Sequence, residues 1–203
     1  MARKQVLLPM VRLSYPNLFK KVAFNDDKDP TFSAMAVFDA DGDTHQLVFK
    51  TLQGLLKEEF GDEAQAIWKK LKAKGRHILH NGEEMEGKAG FSDEVSYISA
   101  YSDGRPLVFR GKSSNPEYIA EEDGIVYPGC YGDFLVQFYT WKNKNGKGVG
   151  CELKGFRFRK DGERLGGAVP ASVDDFPDLD DEDEVGGDWG DDDTGGGDGD
   201  DWT

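Results

Sequence analysis

The chain has 203 residues, enough for one domain with a buried core plus an appendage, and a formal net charge of −14 that on its face argues against a polyanionic partner. Fifteen of the 39 acidic residues, however, lie between Asp174 and Thr203, where there is no Lys or Arg, so residues 1–173 hold 24 acids against all 25 bases. The acidity belongs to the end of the chain, and the near-neutral remainder is free to gather its cations into a local groove.

QVLLPMVRLSYPNLF predicts a first strand interrupted near Pro9, then a turn at Tyr15-Pro16-Asn17. TFSAMAVFDA, from Thr31 to Ala40, predicts a second strand, and DADGDT breaks it where Thr44 is placed to cap a helix. Val48, Leu52, Leu55 and Leu56 mark one face of that helix, which Gly61 ends. Ala64, Ile67, Trp68 and Leu71 follow the i, i+3, i+4, i+7 rule in a second helix that Gly75 stops. DEVSYISAY, RPLVF and IVYPGCYGDFLVQFYTW then read as strands, and VGCELKGFRFR follows the turn-rich KNKNGKG as the return arm of a hairpin. Past Arg164, GGAVPAS is a linker. The expected fold is mainly β: one closed or nearly closed barrel over residues 1–167 with an inserted helical pair, then a flexible linker and disordered acidic tail over 168–203.

No charged-then-apolar leader opens the sequence, and no apolar run approaches the ~20 residues that span a bilayer, so no membrane role is expected. Cys130 and Cys151 lie in strand-like stretches without metal spacing and are expected as reduced thiols of a cytoplasmic protein.

The last hairpin concentrates the chemistry. Strict alternation puts Phe134, Val136 and Phe138 on one face and Leu135, Gln137, Tyr139 and Trp141 on the other. The return strand buries Val149, Cys151 and Leu153, and a bulge at Gly155 then turns Phe156 and Phe158 inward and Arg157 and Arg159 outward. The outer face is thus expected to carry Tyr139, Trp141, Arg157 and Arg159, with Lys142, Lys144 and Lys147 at the tip and Lys154 on the same side. Tyr97 and Tyr101 form a second expected stacking platform, with Arg110 and Lys112 beside it. An aromatic ring accepts any base on its face, at ~1–3 kcal/mol per stacked base, while cations neutralise phosphates. Aromatics at period two are ordinarily core, and lysines in a hairpin tip are ordinarily solubilising. The coincidence of rings, arginines and a Gly/Lys tip on one hairpin is what favours single-stranded nucleic acid.

Other candidates are weaker. DADGDTH lacks a calcium loop's closing Glu, since Lys50 stands at the twelfth position from Asp39, and GGDGDD is a single copy of a repeat that binds calcium only when stacked. His77 and His80 have no Cys or Glu at ligand spacing, so no metal is expected there, and nothing implies another cofactor. Lys69, Lys70, Lys72, Lys74 and Arg76 are read as the solvated end of a helix, with an extended path for nucleic acid as the sharper alternative. No nucleophile elbow, phosphate loop or carboxylate pair marks an enzyme.

YPGCYGDFLVQFYTWKNKNGKGVGCELKGFRFRKDGERLGG resembles the C-terminal strands of the tailed-phage single-stranded DNA-binding proteins, and RLSYPNLF with the helical segment extends the likeness over nearly all of residues 10–167. The resemblance implies an OB-type barrel, sequence-tolerant binding of single strands in phage replication and recombination within the host cytoplasm, and an acidic C-terminal tail. The tail residues Asp191, Asp192, Asp193, Asp200, Asp201 and Trp202 are then expected to recruit a replication protein such as a DNA polymerase. Fifteen carboxylates imitate phosphates, and Phe176, Trp189 and Trp202 imitate bases, so the tail is also expected to compete for the groove. Its 30 residues reach about 30 Å as a Gly-rich coil. A homo-oligomer is compatible with all of this. The rivals are an acidic-tailed interaction or assembly factor that binds no DNA, and an enzyme of nucleic-acid metabolism.

Overall fold

Period-two burial organises a sheet of eight strands in the computed structural model, which describes residues 1–166 apart from 24, 26, 27 and 145. The strands are β1 (Arg3–Val22), β2 (Thr31–Asp39), β3 (His80–Asn81), β4 (Val95–Ser102), β5 (Leu107–Lys112), β6 (Asn115–Tyr118), β7 (Tyr131–Asn143) and β8 (Gly146–Lys160). Their order is β3-β4-β2-β1-β7-β8-β5-β6. A further pairing of β4 with β8, at Tyr101 and Glu152, closes β4, β2, β1, β7 and β8 into a five-stranded barrel of the expected OB type. Leu8, Leu13, Phe134, Phe138 and Phe156 fill it, none more than 1 % exposed. Each such side chain contributes ~1.5–3 kcal/mol by leaving water.

β1 is longer and more bent than the sequence suggests. The expected interruption at Pro9 and the expected turn at Tyr15-Pro16-Asn17 are both bulges within one strand. The pairing shifts between Leu8 and Val11 and again between Ser14 and Asn17, with Met10 and Tyr15 at φ of 51° and 46°. A bulge lets a proline, which has no N–H to give, sit within a strand. On β8 the expected slip in phase is present. Leu135 pairs with Gly155 and Val136 with Leu153, so Lys154 is the extra residue and Phe156 turns inward after Leu153. A Cβ at Gly155 would stand 2.7 Å from the Leu107 carbonyl oxygen, so glycine lets β5 close against the bulge.

Helices α1 (Asp43–Phe60) and α2 (Ala64–Ala73) follow β2 and are joined by a single 3-10 turn over Gly61–Glu63. The helix starts at Asp43 with Gly42 as its cap, so Thr44 lies inside the first turn rather than before it. Val48, Leu52, Leu55 and Leu56 of α1 and Ile67 and Leu71 of α2 join the barrel core. Strand β6 was not visible in the sequence: its residues, NPEY, are polar and contain a proline, which an edge strand tolerates. Among the described residues no helix is long and apolar enough to cross a membrane. The chain divides into two units, Met1–Ala168 and Val169–Thr203. The expected linker and tail, including Asp191, Asp192, Asp193, Asp200, Asp201 and Trp202, lie outside the described residues.

Candidate nucleic-acid interface

Tyr139 and Trp141 stand directly opposite Gly150 and Gly148 in the β7–β8 ladder. A Cβ built at Gly150 would come 2.3 Å from the Tyr139 ring, and one at Gly148 2.5 Å from the Trp141 ring. Each ring therefore lies across the bare backbone of the opposing strand, which fixes its orientation while leaving it only partly buried on the outer face. The alternation expected for β7 holds: Phe134, Val136, Phe138 and Thr140 are buried, and Leu135, Gln137, Tyr139 and Trp141 are not.

Tyr139 faces a cleft of about 650 Å³ where β4 meets β8. Barrel closure, which pairs Tyr101 with Glu152, brings Tyr101, 45 % exposed, into the lining of the same cleft. Arg3, Arg105 and Lys154 supply the cations, against Asp103 and Glu152. Lys154 Nζ lies 2.6 Å from Glu152 Oε1, whereas among the described residues neither Arg3 nor Arg105 makes an ion pair. These two arginines were not singled out in the sequence. Arg3 carried a signal in principle, since it pairs with Tyr139 across β1 and β7, but that register joins residues far apart in the chain.

Trp141, the next outward residue roughly 7 Å along β7, borders a second cleft, of about 400 Å³, between the hairpin and α2. Lys70, Lys74 and Arg76 line its helical side. The basic run at the end of α2 thus converges on the hairpin's tryptophan. Lys147 ties the hairpin to the helices: its Nζ lies 2.6 Å from Glu63 Oε2 and 5.4 Å from the centre of the Phe60 ring. Its ammonium holds the Glu63 carboxyl below the usual range. Lys142 and Lys144 are exposed at the tip.

Arg157 and Arg159 do not share this surface with the rings. Arg157 pairs with Asp133 in the ladder, six residues from Tyr139 along β7, or roughly 20 Å. Both guanidiniums converge on the Asp133 carboxylate, which is 1 % exposed. Arg157 Nε donates to its Oδ2 at 2.7 Å, Arg159 Nη1 at 3.0 Å, and the Met10 N–H to its Oδ1 at 3.2 Å. Burial raises the carboxyl's pKa, but Arg157, Met10 and Arg159 together outweigh it and hold the group below the usual range. Arg110 and Lys112 are likewise apart from Tyr101. They lie on the β5–β6 arm, with Arg110 Nε 2.6 Å from Glu117 Oε2.

Tyr97 offers no face to a base. It is 6 % exposed, stacked on His80 at 5.0 Å between ring centres and edge-on to Phe91 at 5.3 Å. It shares its face of β4 with Tyr101, but β3 and the loop after it cover it. The expectation that no Glu stands at ligand spacing from His77 and His80 is also corrected. A 3-10 turn over Gly82–Met85 brings the Glu84 carboxylate to 2.8 Å from His80 Nδ1. Cys130 and Cys151 are free, buried thiols, and burial pushes Cys130 up to about 11, too high for a nucleophile at neutral pH.

The hairpin of the OB-type barrel thus presents two glycine-backed rings, each beside a cleft lined with cations. The family described as Enterobacter phage Enc34, ssDNA-binding protein, matches residues 4–186, and the chain belongs to it. A putative protein p50 of Acyrthosiphon pisum secondary endosymbiont phage 1 is 31 % identical over 182 residues, covering 86 % of this chain and 94 % of that protein. The solved single-stranded DNA-binding protein of bacteriophage Enc34, in complex with ssDNA, has the same fold at a TM-score of 0.63 and 20 % identity, over 80 % of this chain and 89 % of that one. The single-stranded DNA-binding protein gp2.5 of bacteriophage T7 aligns with a TM-score of 0.54 and 11 % identity, over 92 % of this chain and 97 % of that one.

Proposed function

We propose that the chain binds single-stranded DNA without reading its sequence, and without catalysis, during phage replication and recombination in the host cytoplasm. The observation that carries this is the pair of rings, Tyr139 and Trp141, laid on Gly150 and Gly148. They are successive outward residues of one strand, each opening on a cleft that holds cations. Membership of a family described as ssDNA-binding supports the same reading, as does the Enc34 relative solved with ssDNA. The strand's path runs from Tyr101, Arg3 and Arg105 past Tyr139 and Trp141 to Lys70, Lys74 and Arg76. Lys142 and Lys144 reach its phosphates from the tip. Arg157 and Arg159, engaged with Asp133, support the sheet and add at most a peripheral positive field. The acidic end of the chain, through Asp191–Asp193, Asp200, Asp201 and Trp202, recruits a replication protein such as a DNA polymerase.

Quenching of tryptophan fluorescence by oligo-dT, compared with a duplex of equal length, tests the binding. Single strands are expected to bind more tightly, because stacking needs unpaired bases, with a log–log salt slope of about −0.7 per neutralised phosphate. Equal affinity for the two forms would remove the stacking groove from the account.

A further inference from the structure

His77, His80 and Glu84 meet where the chain returns from α2 to the sheet. His80 Nδ1 lies 2.8 Å from Glu84 Oε2, and His77 Nε2 lies 3.5 Å from Glu84 Oε1. The two imidazole rings stand 4.3 Å apart, and one ligand atom from each of the three residues falls within 4.8 Å of the others. The His77 side chain is only 8 % exposed, and its Nδ1 is buried with no hydrogen-bond partner among the described residues. As a hydrogen-bonding cluster this is poorly compensated: one imidazole is stripped of water in return for a single long contact with the carboxylate.

We propose that His77, His80 and Glu84 bind a zinc ion, leaving its fourth position to water or to a further ligand. Two imidazole nitrogens and one carboxylate oxygen are a zinc donor set, whereas magnesium and calcium take oxygen ligands. Two ligands of one tetrahedral zinc, each about 2.0–2.1 Å from the metal, stand roughly 3.4 Å apart. The His80 Nδ1–Oε2 and His77 Nε2–Oε1 distances bracket that value, and the three ligand atoms lie within 4.8 Å of one another, so closing of the side chains by up to roughly an ångström brings them onto one ion.

Two of the three ligands are held before any ion arrives. His80 is paired with Tyr97 in the β3–β4 ladder and stacked on its ring at 16°. Glu84 sits in a capping box: the Asn81 N–H donates to Glu84 Oε1 at 3.4 Å, and Asn81 Oδ1 accepts from the Glu83 N–H at 2.8 Å. Such preorganisation lowers the ordering cost of binding. The ion would staple the segment between α2 and β4 to the sheet. Ile78, between the two histidines, lines the cleft that holds Tyr101 and Tyr139, so the staple also fixes one wall of that cleft. The metal site does not depend on what the cleft binds.

The full chain, stripped with a chelator and exchanged into chelator-free buffer, is titrated with zinc sulfate in competition with a chromophoric chelator. Excess magnesium occupies the carboxylates of the acidic terminus. One tight site per chain is expected, and Glu84→Gln and His80→Gln are each expected to weaken it at least about 10-fold. His45→Gln, which removes the only other histidine, should leave it unchanged. Zinc at a hundred times its dissociation constant should raise the melting temperature of the wild-type chain by about 5–10 °C and that of Glu84→Gln by much less. Glu84 is 43 % exposed, so its amide does not threaten folding, and this variant decides the matter alone if His80→Gln fails to fold. A wild-type chain with no site saturating at one ion per chain overturns the proposal. So does a folded Glu84→Gln variant that binds zinc as the wild type does, for Glu84 would then be no more than a helix cap paired with His80.

Discussion

Substituting Gly150 by Ala tests the stacking platform from beneath, without touching any group that meets DNA. The new Cβ would stand 2.3 Å from Tyr139 Cζ and 2.5 Å from its hydroxyl oxygen. Ordinary carbon contacts lie near 3.5–4.0 Å, so about 1 Å of movement is required. The ring end of Tyr139 is the part free to move, while the ladder pairing of Tyr139 with Gly150 persists. Ala in a strand interior is favoured over Gly by roughly 0.5–1 kcal/mol, so the melting temperature should not fall through backbone propensity. DNA binding should suffer instead. A stacked base is worth ~1–3 kcal/mol, or roughly 5- to 150-fold in dissociation constant. Tyr139→Ala should lose all of that and Gly150→Ala a large part of it. The double variant should be no worse than Tyr139→Ala, because without the ring the introduced methyl no longer has the contact that made it harmful. Anisotropy titrations of labelled oligo-dT at one fixed salt concentration, with melting curves on the same samples, measure all four proteins. If the two losses add, or if Gly150→Ala binds as the wild type does, the ring is not a platform held by its glycine.

Asp133→Ala should destabilise the fold by roughly 2–3 kcal/mol, below the 3–5 of a fully buried pair because Arg157 and Arg159 can turn partly to water, and it should do so more than Arg157→Ala, which leaves Asp133 with Arg159. Because the folded carboxyl sits below its ordinary pKa, its contribution is complete above about pH 4 and fades as pH falls through the lower folded value. Urea melts of wild type and Asp133→Asn should therefore converge in acid; a difference that persists unchanged at pH 2 would show that the charge is not its source. Removing residues 174–203, with fifteen carboxylates and no base, should tighten oligo-dT binding, and more at low salt than at high, since screening is weakest there. Equal affinities of full-length and truncated chains at both salt concentrations would mean that the tail does not compete for the groove.

What the sequence disclosed about this site follows the range of each physical signal. Alternation acts between residues two apart, so the outward set on β7 and the slip of phase near Gly155 were legible before any strand was paired. Alternation assigns a side of the sheet but not what lies over it. Tyr97 and Tyr101 share a side of β4, yet Phe91 and His80 cover one and leave the other 45 % exposed. The same limit concealed Asp133: its position marked it as outward, and only the two arginines brought over it make it a buried anion. Tyr101 and Arg3 reach Tyr139 through barrel closure and the β1–β7 register, long-range pairings that no local pattern encodes. Glu84 differs, because it lies only four residues beyond His80, at a separation that a single helical turn closes. The glycine backing of the rings was also within reach. Once KNKNGKG is read as a hairpin turn pairing Asn143 with Gly146, counting outward gives Trp141 opposite Gly148 and Tyr139 opposite Gly150. In that light the GVG of β8 is a seat cut for two aromatic rings, and the partly buried rings of β7 are held surfaces rather than a core that failed to bury them.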